Sequence, residues 1–412
     1  MTKPSTQRTT RGIRTLRTAT RTSTTRIAAT RREQSADVTA APFTLGDLAQ
    51  AYFDCRKAKR NSRSALLFEQ NLERNLVQLQ HELLNGTYKI GQSICFVITH
   101  PKPREVWAAD FRDRIVHHLM YNHIATAIEA QFIADSCACI KGRGTLYGAN
   151  RLEAKIRSAT QNWKQDCYYL KCDLANFFVS IDKNILAELI AKKVSDPWWL
   201  ALTLKILHHD PRQNYQLRCS PHTLNKVPAH KRLYSQPAHK GLAIGNLSSQ
   251  FFANIYLNEL DQFAKHELKA RHYIRYVDDF VILHESAQWL NDCYKKIQKF
   301  LPERLAAQLN TSKTILQPVS RGVDFVGQVI KPWHRTTRKK TLNHALNQVA
   351  KKPATELRET ANSYFGLLRQ ATNNFQARRK LAKTLFLKGK AVNQNLTKTY
   401  GKYLCHRSQL NQ

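Results

Sequence analysis

Two adjacent carboxylates sit inside an apolar stretch that runs Tyr273-Ile274-Arg275-Tyr276-Val277-Asp278-Asp279-Phe280-Val281-Ile282-Leu283. A strand pair this apolar is buried on at least one face. Carboxylates at its turn repel one another and lose solvation, so something must neutralise them. A divalent cation does so directly, and Mg²⁺ prefers carboxylate oxygens. The bland alternative is a solvated Asp-Asp turn. Asp173 tips the balance, because it ends a second apolar strand, Tyr168-Tyr169-Leu170-Lys171-Cys172. Carboxylates from two separate strands suit two-metal nucleotidyl transfer. There one ion activates a hydroxyl, and the other holds a triphosphate and stabilises the leaving pyrophosphate. Asp173 and Asp278 are the expected shared ligands, with Asp279 alongside.

The charge of the chain points to the partner. Sixty-five Lys and Arg face 30 Asp and Glu among 412 residues, a formal net charge of +35. Such an excess repels itself unless a polyanion neutralises it, and nucleic acid gains affinity by releasing counterions. A basic protein that only coats RNA or a membrane surface is the alternative on composition alone. No apolar run reaches membrane-spanning length, so no transmembrane helix is expected. Nine scattered cysteines, an odd number with no Cys-x-x-Cys pair, read as thiols in a reducing cytoplasm.

The elements that must position the carboxylates follow from periodicity. Residues 1–42 read as a basic, disordered tail. Arg8, Arg11, Arg14, Arg17 and Arg21 recur at helical spacing, and no acid precedes Glu33. A targeting segment is the alternative. Helical patterning covers Phe43 to Leu84, a strand Ile94 to Thr99, its return Glu105 to Ala108, and a helix Arg112 to Ala130. Tyr168 to Asp173 is a strand, and Asp182 suits an N-cap. Residues 208–240 look like a long surface excursion. An amphipathic helix follows Gly245, Tyr273 to Leu283 reads strand-turn-strand, and Val323 to Ile330 is a hairpin. From about Leu342 the pattern is helical and basic. His208, His209, Asp210, Cys219 and His222 fit no standard zinc spacing and read as a polar loop. Cys137 and Cys139 read as core or incidental, and Trp107, Trp163 and Trp333 as packing residues.

Seven ordered strings carry a family resemblance across roughly residues 85–330. Asp173-Leu174-Ala175-Asn176-Phe177-Phe178 resembles the first catalytic motif of reverse transcriptases, and Tyr276-Val277-Asp278-Asp279 their second. Gly241 to Gln250 resembles their nucleotide-pocket motif. Lys102 to Val106 and Phe111 to His118 resemble the fingers motifs. Leu309 to Thr314 and Val323 to Gly327 resemble the palm lysine motif and the primer grip. The resemblance implies an α+β right-hand polymerase. Helices and fingers would occupy residues 43–165, a palm on an antiparallel sheet 166–335, and a helical thumb 336–412. It implies two Mg²⁺ ions, or Mn²⁺ in their place, held at Asp173, Asp278 and Asp279 with Leu174 beside them. Phe178 would be a steric gate that clashes with a ribose 2′-hydroxyl. Lys102, Arg104, Arg112 and Arg114 would be triphosphate contacts, with Glu105, Asp110 and Asp113 as competing ion-pair partners. Lys313 would be the general acid for pyrophosphate, and Phe325, Val326 and Gly327 the primer grip. Template RNA, the RNA/cDNA duplex and dNTPs are the implied partners.

The departures narrow the reading. Where retroviral enzymes carry Gln-Gly-x-x-x-Ser-Pro, this chain has Ile244-Gly245-Asn246-Leu247-Ser248-Ser249-Gln250. That form resembles reverse transcriptases of diversity-generating retroelements, which copy a template RNA with errors at adenines. An aliphatic Ile244 cannot make the hydrogen bonds of a Gln near the nucleotide, and an apolar contact discriminates less well than a hydrogen-bonding one. A small basic accessory protein is the further partner implied. Group II intron-like or antiphage-defence reverse transcriptases are the enzyme alternatives, and a non-catalytic RNA-binding protein is the alternative of another class. Deleting residues 1–42 is expected to weaken RNA binding and flatten its salt dependence, read by titration across NaCl concentrations. An unchanged slope would mean that the segment is inert.

Overall fold

The computed structural model describes residues 41–57, 62–100 and 102–403. The Arg-rich segment expected to be a tail lies outside them. Three helices come first: α1 (Leu45–Arg56), α2 (Arg63–Glu69) and α3 (Leu72–Leu84). Thr44 and Asp47 close a capping box at the start of α1. The leucine period of α3 buries Leu76, Leu79 and Leu83, whereas Leu66 on α2 stays 49% exposed.

Strands β1 (Ser93–Ile98) and β2 (Arg104–Ala108) pair antiparallel around the Lys102-Pro103 turn. Helix α4 (Phe111–Glu129) follows, with Asp110 accepting from the Arg112 N–H as its cap. Next come α5 (Thr145–Ala159), β3 (Tyr168–Asp173), α6 (Phe177–Ser180) and α7 (Lys183–Ala191). Asp182 caps α7 as its position suggests, accepting from the Asn184 and Ile185 N–H groups. Helix α8 (Pro197–His208) leads into β4 (Tyr215–Leu217) and α9 (Pro221–Leu224). The 208–240 excursion is therefore not a bare loop. Its strand β4 pairs parallel with β1 and extends that sheet.

Helix α10 (Leu247–Gln262), β5 (His272–Tyr276), β6 (Asp279–His284), α11 (Ala287–Leu305) and β7 (Ile315–Pro318) complete the central layer. The sheet runs in the order β5-β6-β3-β7, every pair antiparallel. Both of its faces are covered. Leu170, Cys172, Tyr273, Phe280 and Ile282 pack into the core built with α4, α10 and α11. The alternating residues Tyr169, Ile274, Val281 and Leu283 pack with Leu152 and Ile156 of α5. Double coverage is why these strands read as continuous apolar runs rather than as alternation.

A second small sheet, β8 (Val323–Phe325), β9 (Gln328–Lys331) and β10 (His334–Thr337), lies against the α5 side. Helices α12 (Lys339–Lys351), α13 (Ala354–Leu368) and α14 (Phe375–Phe386) share a core of their own around Val349, Leu357, Phe365 and Leu381. A closing hairpin of β11 (Lys390–Val392) and β12 (Thr399–Tyr403), absent from the helical expectation, ends the described chain. Among the described residues no disulfide joins any of the cysteines, and no helix is long and apolar enough to cross a membrane.

Candidate active site

The two carboxylate strands are neighbours. In the β3–β6 pair Asp173 lies directly opposite Asp279, so their side chains leave the same face of the sheet. Asp278 occupies the β5–β6 turn, and its carbonyl accepts from the Leu174 N–H at 3.2 Å. Asp173 is fixed from the other side, its carbonyl accepting from the Asn310 N–H at 2.7 Å. Val277, in the same turn, has φ +55, a left-handed conformation costly for a β-branched residue.

A buried ion pair holds that turn. Arg275 is 1% exposed. Its guanidinium donates to both Asp261 oxygens (2.7 and 2.6 Å), to Asn254 Oδ1 (3.2 Å), to Ser136 Oγ (3.0 Å) and to the Val277 carbonyl (3.0 Å). Tyr273 donates its hydroxyl to Asp261 Oδ1 as well, at 2.7 Å. Burial works against the Arg275 charge, but the Asp261 carboxylate more than offsets it and keeps the guanidinium protonated. These positioning residues were not anticipated. The available signal was a lone arginine inside an otherwise apolar strand.

Two lysines touch the carboxylates. Lys313 Nζ pairs with Asp173 Oδ2, so the sequence candidate for a general acid reaches the centre. Lys171 Nζ, which sequence reasoning passed over, lies 3.1 Å from Asp279 Oδ2 and donates to the Asp324 carbonyl at 2.7 Å. Alternation along β3 places Lys171 on the same face as Asp173, which would have singled it out.

The acids remain poorly solvated. Burial, then the neighbouring Asp173, raises the pKa of Asp278. Burial pushes Asp279 up to about 6, against the pull of Lys171. Asp279 Oδ1 is buried with no hydrogen-bond partner. Among the described residues no three His, Cys, Asp or Glu side chains converge as a ready-made metal cage, and lysines take one oxygen each of Asp173 and Asp279. An orphaned carboxylate oxygen, desolvated acids and all-oxygen donors nevertheless fit a hard divalent cation.

The other candidates separate. Phe178 is half-buried beside fully buried Phe177, and its carbonyl accepts from the Leu242 N–H at 2.8 Å. Ile244 is half-buried, its carbonyl accepting from the Trp107 N–H at 2.8 Å. Gly245 has φ +128, and a Cβ there would meet Val106 Cγ1 at 2.8 Å, so the motif glycine is required by backbone conformation and close approach together. Gln250 and Lys102 are exposed. Arg104 is exposed and close enough to lower the Asp278 pKa.

Arg112 instead pairs with Glu82 and sits 5.2 Å over the Tyr88 ring. Arg114 donates to the Ala109 carbonyl at 2.7 Å. The competing acids are also occupied differently from expectation. Asp113 accepts from the Tyr88 hydroxyl and the Gly91 N–H, and Glu105 from the Leu233 N–H. Phe325 is a fully buried core residue, while Val326 (φ +44) and Gly327 (φ +87) form the β8–β9 turn. Asp210 is taken by Arg212. Trp107 is buried, but Trp333 is 64% exposed at a turn, contrary to its reading as a packing residue.

Asp173 and Asp279 therefore share one face of an antiparallel sheet, with Asp278 at the adjoining turn and a lysine on each of the first two. The family model for reverse transcriptase (RNA-dependent DNA polymerase) matches residues 101–330, more than half of the chain. The chain belongs to the reverse transcriptase family, whose members use divalent metal ions, and its architecture is mixed α+β with an antiparallel central sheet. A putative COX1/OXI3 intron 2 protein of Saccharomyces cerevisiae is 21% identical over 238 residues, 42% of this chain and 25% of that protein. The chain thus spans about a quarter of the curated relative's length. Among solved structures, telomerase from Candida tropicalis truncated from its C-terminal domain gives a TM-score of 0.44 at 13% identity, over 60% of this chain and 55% of that one. Telomerase from Candida albicans with a fragment of telomeric RNA gives 0.43 at 12%, over 72% and 54%.

The ion pair makes a stability prediction. Asp261→Asn strands the Arg275 charge and is expected to cost about 3–5 kcal/mol in denaturant unfolding. Arg275→Met combined with Asp261→Leu should recover most of that loss. A single variant as stable as the parent would show that the Arg275 charge is satisfied without Asp261.

Proposed function

We propose that the chain is an RNA-directed DNA polymerase that copies a template RNA into cDNA carelessly, in the manner of a diversity-generating retroelement. The observation that carries the polymerase reading is the register pairing of Asp173 with Asp279, with Asp278 at the adjoining turn. Residues 43–165 serve as N-terminal helices and fingers, 166–335 as palm and 336–412 as thumb. Asp173, Asp278, Asp279 and the Leu174 backbone hold two Mg²⁺ ions, a site that Mn²⁺ can also fill. Bound there, such ions would supply Lewis-acid activation of a primer 3′-hydroxyl and charge stabilisation for a departing pyrophosphate. Lys313, seated at Asp173, protonates the pyrophosphate. Lys102 and Arg104 receive the triphosphate, since Arg112 and Arg114 are engaged elsewhere. Phe325, Val326 and Gly327 lie along the primer.

The retroelement assignment rests on Ile244 and Gln250. An aliphatic side chain at the pocket removes a hydrogen-bonding check on base-pair geometry and lowers fidelity. The template RNA, the RNA/cDNA duplex and a small basic accessory protein are the proposed partners, in a cytoplasmic setting. A second reading, an intron-type reverse transcriptase, is favoured by the match to the yeast intron protein.

Sequencing cDNA made by the purified chain with Mg²⁺, dNTPs and a primed RNA separates the two. Errors concentrated at template adenines are expected. An even spread over all bases would favour the intron-type reading, and no product even with the accessory protein would favour RNA binding alone. Ile244→Gln is expected to lower the error rate several-fold, and an unchanged spectrum would remove Ile244 from the explanation. Phe178→Ala should admit ribonucleotides, raising rNTP incorporation about tenfold or more (~1.4 kcal/mol of lost discrimination). Continued exclusion would assign the gate to another residue.

A further inference from the structure

The segment between the first carboxylate strand and the pocket motif carries a surface that the chemistry above does not use. From Pro211 to Lys240 the chain contains six Lys and Arg and no acid. Arg212 is spent locally on Asp210, and it also donates to the Leu233 carbonyl at 3.1 Å. Arg232 donates to the Val227 carbonyl at 2.6 Å. Arg218, Lys226, Lys231 and the aromatic Tyr234 are exposed, Tyr234 at 61%.

A loop that only needed solubility would not be built as this one is. Strand β4 is annealed to β1, Leu233 is buried against Trp107 and Cys95, and Glu105 on β2 accepts the Leu233 N–H. The returning limb is bonded to the segment that carries Phe178. Lys183 N–H donates to the His239 carbonyl at 2.9 Å, Gly241 N–H to the Ile181 carbonyl at 2.8 Å, and Leu242 N–H to the Phe178 carbonyl at 2.8 Å. A segment bearing exposed cations and an exposed aromatic ring is thereby fixed to the β1–β2 sheet and tethered to the stretch that carries Phe178.

We propose that residues 211–240 form a binding platform for single-stranded RNA, with phosphates on Arg218, Lys226 and Lys231 and a base stacked on Tyr234. The strand it takes is the uncopied template on its way to the pocket, an identification that rests on the polymerase reading above. An exposed ring offers a stacking face to an unpaired base but none to a base inside a duplex, and this selects a single strand over a helix.

The test uses the full chain and fluorescence anisotropy with a 30-nucleotide oligo(U) and a 30-base-pair RNA duplex, over a range of NaCl. For the triple variant Arg218→Ala, Lys226→Ala, Lys231→Ala, oligo(U) affinity is expected to fall at least tenfold. The slope of log K against log salt should become shallower by about 2, at roughly 0.7 per phosphate contact. Tyr234→Ala should weaken oligo(U) binding about fivefold or more with the slope unchanged, and leave duplex binding within twofold. Parental affinity and slope in the triple variant would overturn the platform. So would a Tyr234→Ala variant that binds oligo(U) like the parent, or that loses duplex binding equally. All substituted side chains are exposed, and an unchanged melting temperature checks that the fold is intact. The assay needs no nucleotide incorporation. A chain that fails to polymerise but shows these binding changes would count against the polymerase reading and leave the platform standing.

Discussion

Arg275 carries a full charge into the interior, and the rest of the centre is arranged around satisfying it. Desolvating a guanidinium costs several kcal/mol, which an opposing carboxylate recovers only with good geometry and with the remaining donors occupied. Asp261 supplies the charge from α10, Asn254 and Ser136 take further donors, and the last goes to the Val277 carbonyl. That final bond lands inside the turn that aims Asp278. The same turn holds a valine in a left-handed conformation that nothing in its own chemistry favours. The ion pair therefore sets the position of a backbone segment more than it adds to stability. A hydrophobic replacement could keep the fold while losing the aim of the carboxylate.

The two faces of the central sheet have divided duties. One is packed by α4, α10 and α11, and the other by α5 and the small β8–β9 sheet. Asp173, Lys171 and Asp279 emerge on the second face at the end of the strands. There burial is deep enough to raise the pKa values of Asp278 and Asp279, yet Lys171 and Lys313 can still reach them. Lys171 and Lys313 each take one carboxylate oxygen, and the Asp279 Oδ1 left buried without a partner is the feature that suits a hard metal ion.

Much of this was legible in the residues. The strands at Tyr168–Asp173 and around Asp278-Asp279 and the Asp182 cap could be read from pattern, because buried strands and caps write short-range signals. The excursion was harder. Its His, Pro and Arg content suggests a loop, but β4 gains its partner from β1, more than a hundred residues earlier, and no local period reports a long-range parallel pairing. Arg112 and Arg114 were offered to the triphosphate on motif position alone. In the structure Arg112 pairs with Glu82 on α3, thirty residues earlier, and Arg114 donates to the Ala109 carbonyl just before its own helix. The hairpin β11–β12 was hidden by the basic helical pattern before it.

The pairing of β3 with β6 has a kinetic side. These strands are separated by more than a hundred residues of sequence, and closing so large a loop must precede any gain from the ladder. During synthesis the first carboxylate strand emerges long before its partner. Until β6 arrives, it is an apolar segment with unpaired edges. Newly made chains are thus expected to acquire the acidic centre late and in one step, when the palm sheet closes. The hazard of that interval is aggregation, and a polyanion already gathered by the basic regions on either side would be well placed to keep the waiting chain in solution.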